Sequence, residues 1–240
     1  MKLLLLLLAA AAAGFGQTYT GSFLNLLTPI SGMEEGDFEF SMNHRFFGAA
    51  LKDEPLETFF GLDNGANVRF GGRYYMRADI YVAAYHERLL NRNSILAGWS
   101  SAPAPYLQTA LEAGYSSLKP TGSDDRDGGM VASGCLALIA MGGRLRPVIN
   151  YAWDGYREDS GFGLGLEFMA AERLAVFGEY FPSDDEGGPE DCFAFGSRYN
   201  SWGHQFLLGL SNSAGIGTYE LMQGSGTKDL SVSLSIRRRF

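Results

Sequence analysis

The chain has 240 residues and a formal net charge of −8 at pH 7. That length is enough for one domain, and that sign argues against nucleic acid as a partner. Glycine is abundant (32 residues), aromatics make up 13% and charged residues only 19%, a balance that suits alternating strands better than a helical enzyme. Beyond the N-terminus no apolar run approaches the roughly 20 residues that a transmembrane helix needs, which excludes a helical membrane protein.

Met1-Lys2 is a minimal basic start, Leu3 to Ala13 is an apolar run, and Gly14-Phe15-Gly16 offers small residues for cleavage. Residues 1–16 therefore read as a secretory signal peptide, with the mature chain starting near Gln17. Residues 17–36 read as a short polar periplasmic arm with one apolar patch, Phe23-Leu24-Asn25-Leu26-Leu27.

From residue 37 the sequence alternates with a period of two, which puts apolar and polar side chains on opposite faces of strands. Asp37–Phe47 sets Phe38, Phe40, Met42 and Phe46 against Asp37, Glu39, Ser41, Asn43 and Arg45. An acidic loop with Asp53, Glu54 and Glu57 runs to Gly61-Leu62-Asp63-Asn64-Gly65. There Asp, Asn and Gly suit a turn that pins the loop against the next strand. Asn67–Met76, Ile80–Arg88, Ser94–Ser101 and Tyr106–Leu118 follow. After an acidic glycine-rich loop at 123–129 come Met130–Met141, Leu145–Trp153 and Gly161–Ala170, the last nearly bare on its inward side. Leu174–Phe181, the most acidic loop at 183–191, Cys192–Asn200, His204–Asn212 and a glycine-rich loop at 213–229 lead to the final strand.

In that final strand Val232, Leu234, Ile236 and Phe240 share one parity, while Ser231, Ser233, Ser235, Arg237 and Arg239 hold the other. Such a strand ending on Phe240 looks like the closing strand and insertion signal of bacterial outer-membrane barrels. Barrels of this kind have even strand numbers, short periplasmic turns and longer outer loops. Counting from both termini meets only if Ser94–Ser101 crosses, which gives about twelve strands. The expected fold is an all-β, antiparallel up-and-down transmembrane barrel over 37–240, with the acidic loops outside. Those loops are solvated tips, a surface for partners, or carboxylate clusters suited to divalent cations, although none has EF-hand spacing. Cys135 and Cys192 fall on non-neighbouring strands and read as free thiols. Neither a cofactor nor a Cys/His metal site is indicated.

Asn43-His44-Arg45-Phe46, Gly61-Leu62-Asp63, Asn67-Val68-Arg69, Gly203-His204-Gln205-Phe206, Ser211-Asn212-Ser213 and the terminal Arg239-Phe240 stand in one order along the chain. In that order and spacing they resemble a family of bacterial outer-membrane β-barrels of unknown function. Arg238 departs from the family's final alternation. The resemblance implies a fold and a location in the bacterial outer membrane, with lipid and the barrel-insertion machinery as partners, and no reaction.

The polar parity gives the lumen Asp37, Glu39, Arg45, Arg69, Arg73, Glu112, Arg146, Glu167, Glu179, Arg198, Arg237 and Arg239, with Asn43 and Asn150. Two readings follow. The charges pair across the interior and plug it, or they line a narrow wet channel and tune the passage of ions or small solutes. An enzyme of the outer-membrane lipid hydrolase type would need a nucleophile and base in contact. His44 is the one candidate base near the outer rim, and Ser211 and Ser213 lie two strands away.

Overall fold

The computed structural model describes residues 23–29, 32–51, 58–119, 125–183 and 189–240. The signal peptide expected at 1–16 lies outside the described residues, as do Asp53, Glu54, Glu57, Asp124, Asp184, Asp185 and Glu186 of the acidic loops.

Alternation produces strands where it was expected. They are β1 (Phe38–Ala49), β2 (Ala66–Arg77), β3 (Ile80–Glu87), β4 (Arg92–Ala104), β5 (Leu107–Leu118) and β6 (Asp127–Leu138). The second half contributes β7 (Leu145–Asp154), β8 (Asp159–Ala171), β9 (Leu174–Phe181), β10 (Cys192–Ser201), β11 (His204–Ser211) and β12 (Ser231–Arg239). Each pairs antiparallel with its sequence neighbours, and β12 returns to β1, so the sheet closes into a twelve-stranded barrel. Closure removes both sheet edges.

The segment at Ser94–Ser101, on which the even strand count depends, is the centre of β4, paired with β3 and β5 along its length. β6 begins and ends earlier than the expected Met130–Met141. Asp127–Met130 extend the ladder with Tyr115–Leu118, and a 3-10 turn at Met141–Gly143, with Gly142 at φ 64 and Gly143 at φ 89, ends the strand. Only glycine adopts such angles without strain. Short turns gather at one end of the barrel and the long connections at the other, although 88–91 and 155–158 at the long-loop end are also tight. The Gly61 turn pins the first loop differently from expectation. It packs on β1, where a Cβ at Gly48 would stand 2.4 Å from the Gly61 Cα, so both positions require glycine.

The barrel is inverted relative to a water-soluble one. Its outer wall carries exposed Phe40, Phe70, Ile95, Leu111, Leu136, Phe162 and Leu208, with Trp99, Trp153 and Trp202 among the exposed aromatics. Its interior holds buried Glu39, Arg45, Asn67, Glu87, Arg92, Arg146, Glu167, Glu179, Arg198 and Gln205. Cys135 and Cys192 are both buried and free.

Two segments occupy the interior. Residues 23–29, part of the expected periplasmic arm, run inside the barrel as a strap, with Phe23, Leu24, Leu26 and Leu27 buried against Phe177, Phe181 and Leu207. Burying each such side chain contributes about 1.5–3 kcal/mol. The glycine-rich connection at 212–230 also turns inward, and its one-turn helix α1 (Thr218–Leu221) is buried throughout. The bare inward side of β8 receives both. A Cβ at Gly163 would stand 2.6 Å from Leu26, and one at Gly161 would stand 3.0 Å from Met222.

Candidate functional site

The site is the bore, and its charges come from alternate residues on neighbouring strands. On β1 and β2 the register sets Glu39 opposite Arg73 and Asn43 opposite Arg69. Arg73 then bridges two carboxylates, Glu39 at 3.4 Å and Glu112 of β5 at 3.0 Å. The Tyr81 hydroxyl donates to the same Glu112 oxygen at 2.8 Å, and the Arg73 guanidinium lies over the Tyr81 ring at 5.1 Å. Tyr75 packs beside Tyr81, so this group is screened from water on one side. A buried ion pair of this kind needs such added hydrogen bonds to offset desolvation.

The far wall has its own group. Glu167 on β8 touches Arg146 of β7 at 3.1 Å and Arg198 of β10 at 3.3 Å. Each of the two walls carries both signs and pairs its charges within itself. Asp37 and Arg239 pair at the short-turn end, where Arg239 also donates to the Gly32 carbonyl.

Arg45 and Glu179 meet through the strap. The Arg45 Nη2 donates to the Leu24 carbonyl at 3.1 Å and to Asn25 Oδ1 at 3.0 Å. Asn25 in turn donates from its backbone and side-chain nitrogens to Glu179, at 3.0 and 2.8 Å. One asparagine thus spans the bore between β1 and β9. Asn150 donates to the Leu27 carbonyl at 3.0 Å, and Thr218 of α1 donates to the Asn25 carbonyl at 3.1 Å while accepting from the Leu27 amide at 3.3 Å. Strap and inward loop are bolted together.

At the long-loop end stands a network that sequence reasoning did not assign to the lumen. Asn67 donates to Glu87 at 2.6 Å and to the Ala214 carbonyl at 2.8 Å. Arg92 pairs with Glu220 at 3.2 Å and Asp154 at 3.4 Å, and lies 5.0 Å over the Tyr219 ring. Glu220 also accepts from the Ile216 amide at 3.0 Å. Asp154, Ala214 and Glu220 lie in expected loops, where alternation carries no facing information. Glu87 shares the inward parity of Tyr81, Ala83 and Tyr85, and Arg92 that of Ser94, so strand parity does place these two inside.

Between strap, loop and the β1–β2 wall a cavity of about 60 Å³ remains, lined by Ser41, Asn43, Arg69, Arg73 and Arg237 with Glu39 and Glu112. Arg69 donates to the Ile216 carbonyl at 2.8 Å and lies 4.1 Å over Tyr85. Among the described residues Arg237 makes no side-chain hydrogen bond or ion pair, and the Nε atoms of both arginines are buried without an acceptor. A larger groove of about 510 Å³ lies on the apolar outer wall around Trp99, Leu111 and Tyr151. It has almost none of the polar chemistry of the bore.

No family model and no curated protein matches the chain. Solved structures match it in three dimensions. The KdgM porin is 7% identical with a TM-score of 0.51, over 85% of this chain and 99% of that one. The KdgM porin in complex with disordered oligogalacturonate gives a TM-score of 0.54 at the same identity and coverage. Omp33 of Acinetobacter baumannii is 10% identical with a TM-score of 0.45, over 86% of this chain and 99% of that one. This is a porin-type barrel fold.

In this porin-type barrel His44 points to the outer wall. Its cross-strand neighbours are Val68 and Leu234, it stacks on Phe46 at 6.0 Å, and its Nδ1 has no hydrogen-bond partner. Ser211 is fully buried on the other face, and its hydroxyl accepts from the Ser213 amide at 3.1 Å. The parts of a hydrolytic dyad are not brought together. The terminal Phe240 is exposed, pairs its backbone with Phe38 and lies 4.7 Å from the Arg238 guanidinium. Arg238, which breaks the final alternation, thereby covers the terminal ring.

Proposed function

We propose that this protein is an outer-membrane barrel that passes ions or small solutes through a narrow, largely filled bore. The observation that carries this reading is the inversion of the wall. Apolar side chains face outward, and a charged interior retains a polar cavity between Arg69, Arg73, Glu39 and Glu112. An apolar belt of this kind suits lipid, and a polar lumen suits water. The likeness in fold to the KdgM porin supports a channel over a solid scaffold. In this reading residues 1–16 direct export and Phe240 presents the C-terminal strand to the insertion machinery.

A second reading is favoured by a specific observation: the strap and α1 fill much of the interior and are hydrogen-bonded to each other. In that reading the barrel is sealed. Single-channel recording of the refolded protein in a planar bilayer separates the two. A channel gives discrete steps that grow when residues 17–29 are removed. A folded barrel that stays silent with and without that segment is the sealed one.

A further inference from the structure

We infer that Arg69 and Arg237, with Ser41 and Asn43 between them, form a binding site for a small oxyanion, a carboxylate or phosphate group. The site rests on the reading of the bore as a passage and names the class of solute group it takes. Four observations lead there.

The first is register. Arg69 of β2 is the cross-strand partner of Asn43, and Arg237 of β12 is the partner of Ser41. Both guanidinium groups therefore flank one short stretch of β1, and all four side chains face the bore. The second is charge balance. Arg73 is taken by Glu39 and Glu112, Arg146 and Arg198 share Glu167, and Arg45 is held by the strap. Among the described residues Arg69 meets a neutral carbonyl and an aromatic face, and Arg237 makes no side-chain hydrogen bond or ion pair. Arg69, Arg73 and Arg237 face one cavity with Glu39 and Glu112, and both carboxylates are drawn to the Arg73 side. The Arg69 and Arg237 side is therefore the cationic one, where an anion is best placed.

The third is donor geometry. The Asn43 Oδ1 already accepts from the Ser235 hydroxyl, so its amide nitrogen is the group left for a ligand. Two guanidinium forks beside an amide and a hydroxyl match the lone pairs of an oxyanion, because arginine offers paired N–H donors to planar or tetrahedral oxygens. The fourth is space. The cavity at these residues has about 60 Å³ and is roofed by Ile216 and Gly217. Gly217 stands at φ 120, and a Cβ there would come within 2.9 Å of the Arg69 Nη1. Glycine at that position lets the arginine lie directly beneath the loop. A site of this size takes one acidic group of a solute rather than a whole sugar ring.

The test is calorimetric titration of the refolded full-length barrel with sodium phosphate and, separately, sodium acetate, against sodium chloride. Saturable binding is expected in the wild type and in Lys228→Gln, which removes an exposed rim cation outside the site. Binding should weaken at least tenfold in Arg69→Gln and in Arg237→Gln. Arg69→Lys should also bind more weakly, since it keeps the charge but loses the fork. Retention of the heat-dependent gel shift of a closed barrel shows that each variant is folded. Binding of both anions identifies the oxyanion itself as the recognised group, and binding of phosphate alone narrows the class to phosphorylated solutes. The site is overturned by no saturable binding of either anion in a folded wild type, or by equal loss in Lys228→Gln. A barrel that binds but never conducts removes the passage and keeps the site. One that conducts without binding does the reverse.

Discussion

Leu26 occupies the space that a side chain at residue 165 would need: a Cβ built on Gly165 lies 2.4 Å from the Leu26 Cδ1 and 2.9 Å from the Phe23 ring. The glycines of β8 are thus the seat of the strap, and strap and strand were fitted to each other. Gly165→Leu must then displace residues 23–29. The cost of such overpacking is about 1–3 kcal/mol. With Leu27→Cys as a reporter, which keeps the backbone bonds of the strap, the thiol should resist a membrane-impermeant maleimide in the parent barrel and react in the Gly165→Leu background. Equal protection in both would mean that the strap does not depend on the glycine row.

Arg73 holds two carboxylates at once, so its loss leaves Glu39 and Glu112 facing a bore with no cation between them. Removing one member of a buried charge group costs about 3–5 kcal/mol. Arg73→Ala should lower the urea midpoint of the refolded barrel by a corresponding amount. Glu39→Gln and Glu112→Gln added to Arg73→Met should restore most of it, because the unpaired charges are then gone. An unchanged midpoint in Arg73→Ala would show that water in the bore already satisfies the carboxylates.

Much of this barrel could be read from residue order because a strand's period of two ties sequence directly to facing. Glu39, Arg73, Glu112 and Arg146 hold the polar parity of their strands, and each is buried or half-buried. The segments that fill the bore obey no such period. Phe23-Leu24-Asn25-Leu26-Leu27 is an apolar patch in a polar lead, and the bare inward side of Gly161–Ala170 is its counterpart in sequence. Each was visible, but only the fold brings them together. Glu220 is similar: a carboxylate in a glycine-rich loop looks solvated until the loop turns inward and meets Arg92. Strand parity gives facing but not partners: the sequence suggested charges pairing across the interior, while Glu39–Arg73 and Arg146–Glu167 pair on neighbouring strands.

Thr218 is the joint between the two inward segments. Its hydroxyl donates to the Asn25 carbonyl and accepts from the Leu27 amide. Thr218→Val keeps the shape and removes both bonds, leaving a buried carbonyl and a buried amide unsatisfied at about 1–3 kcal/mol each. The strap should loosen without loss of the barrel. Hydrogen exchange at the Leu27 amide should rise by at least tenfold, while exchange in β3 and β4 stays unchanged. A uniform rise across all strands would instead mark Thr218 as a determinant of global stability.

Asp191, just before β10, ties back to Tyr180 and Ser183 at the end of β9, and these bonds favour its charged form. Its Oδ1 accepts from the Ser183 amide at 2.9 Å and its Oδ2 from the Tyr180 hydroxyl at 2.6 Å. The Ser183 backbone bond first, and the Tyr180 bond second, hold the Asp191 carboxyl below its ordinary value. A depressed folded value means that the contribution is fully present above the unfolded value. It is lost as pH falls through the folded one. This tie should therefore persist through neutral and mildly acidic conditions and weaken only below the ordinary aspartate range, about pH 4. The Ser183 amide resonance of the refolded barrel reports this directly. It should titrate below that range in the wild type and show no such step in Asp191→Asn, where the group cannot ionise. A Ser183 transition at or above the ordinary aspartate value would mean that the two bonds do not favour the charged carboxylate. Tyr180→Phe then separates the two donors: the transition should move part of the way toward the ordinary value, since the backbone bond from Ser183 remains.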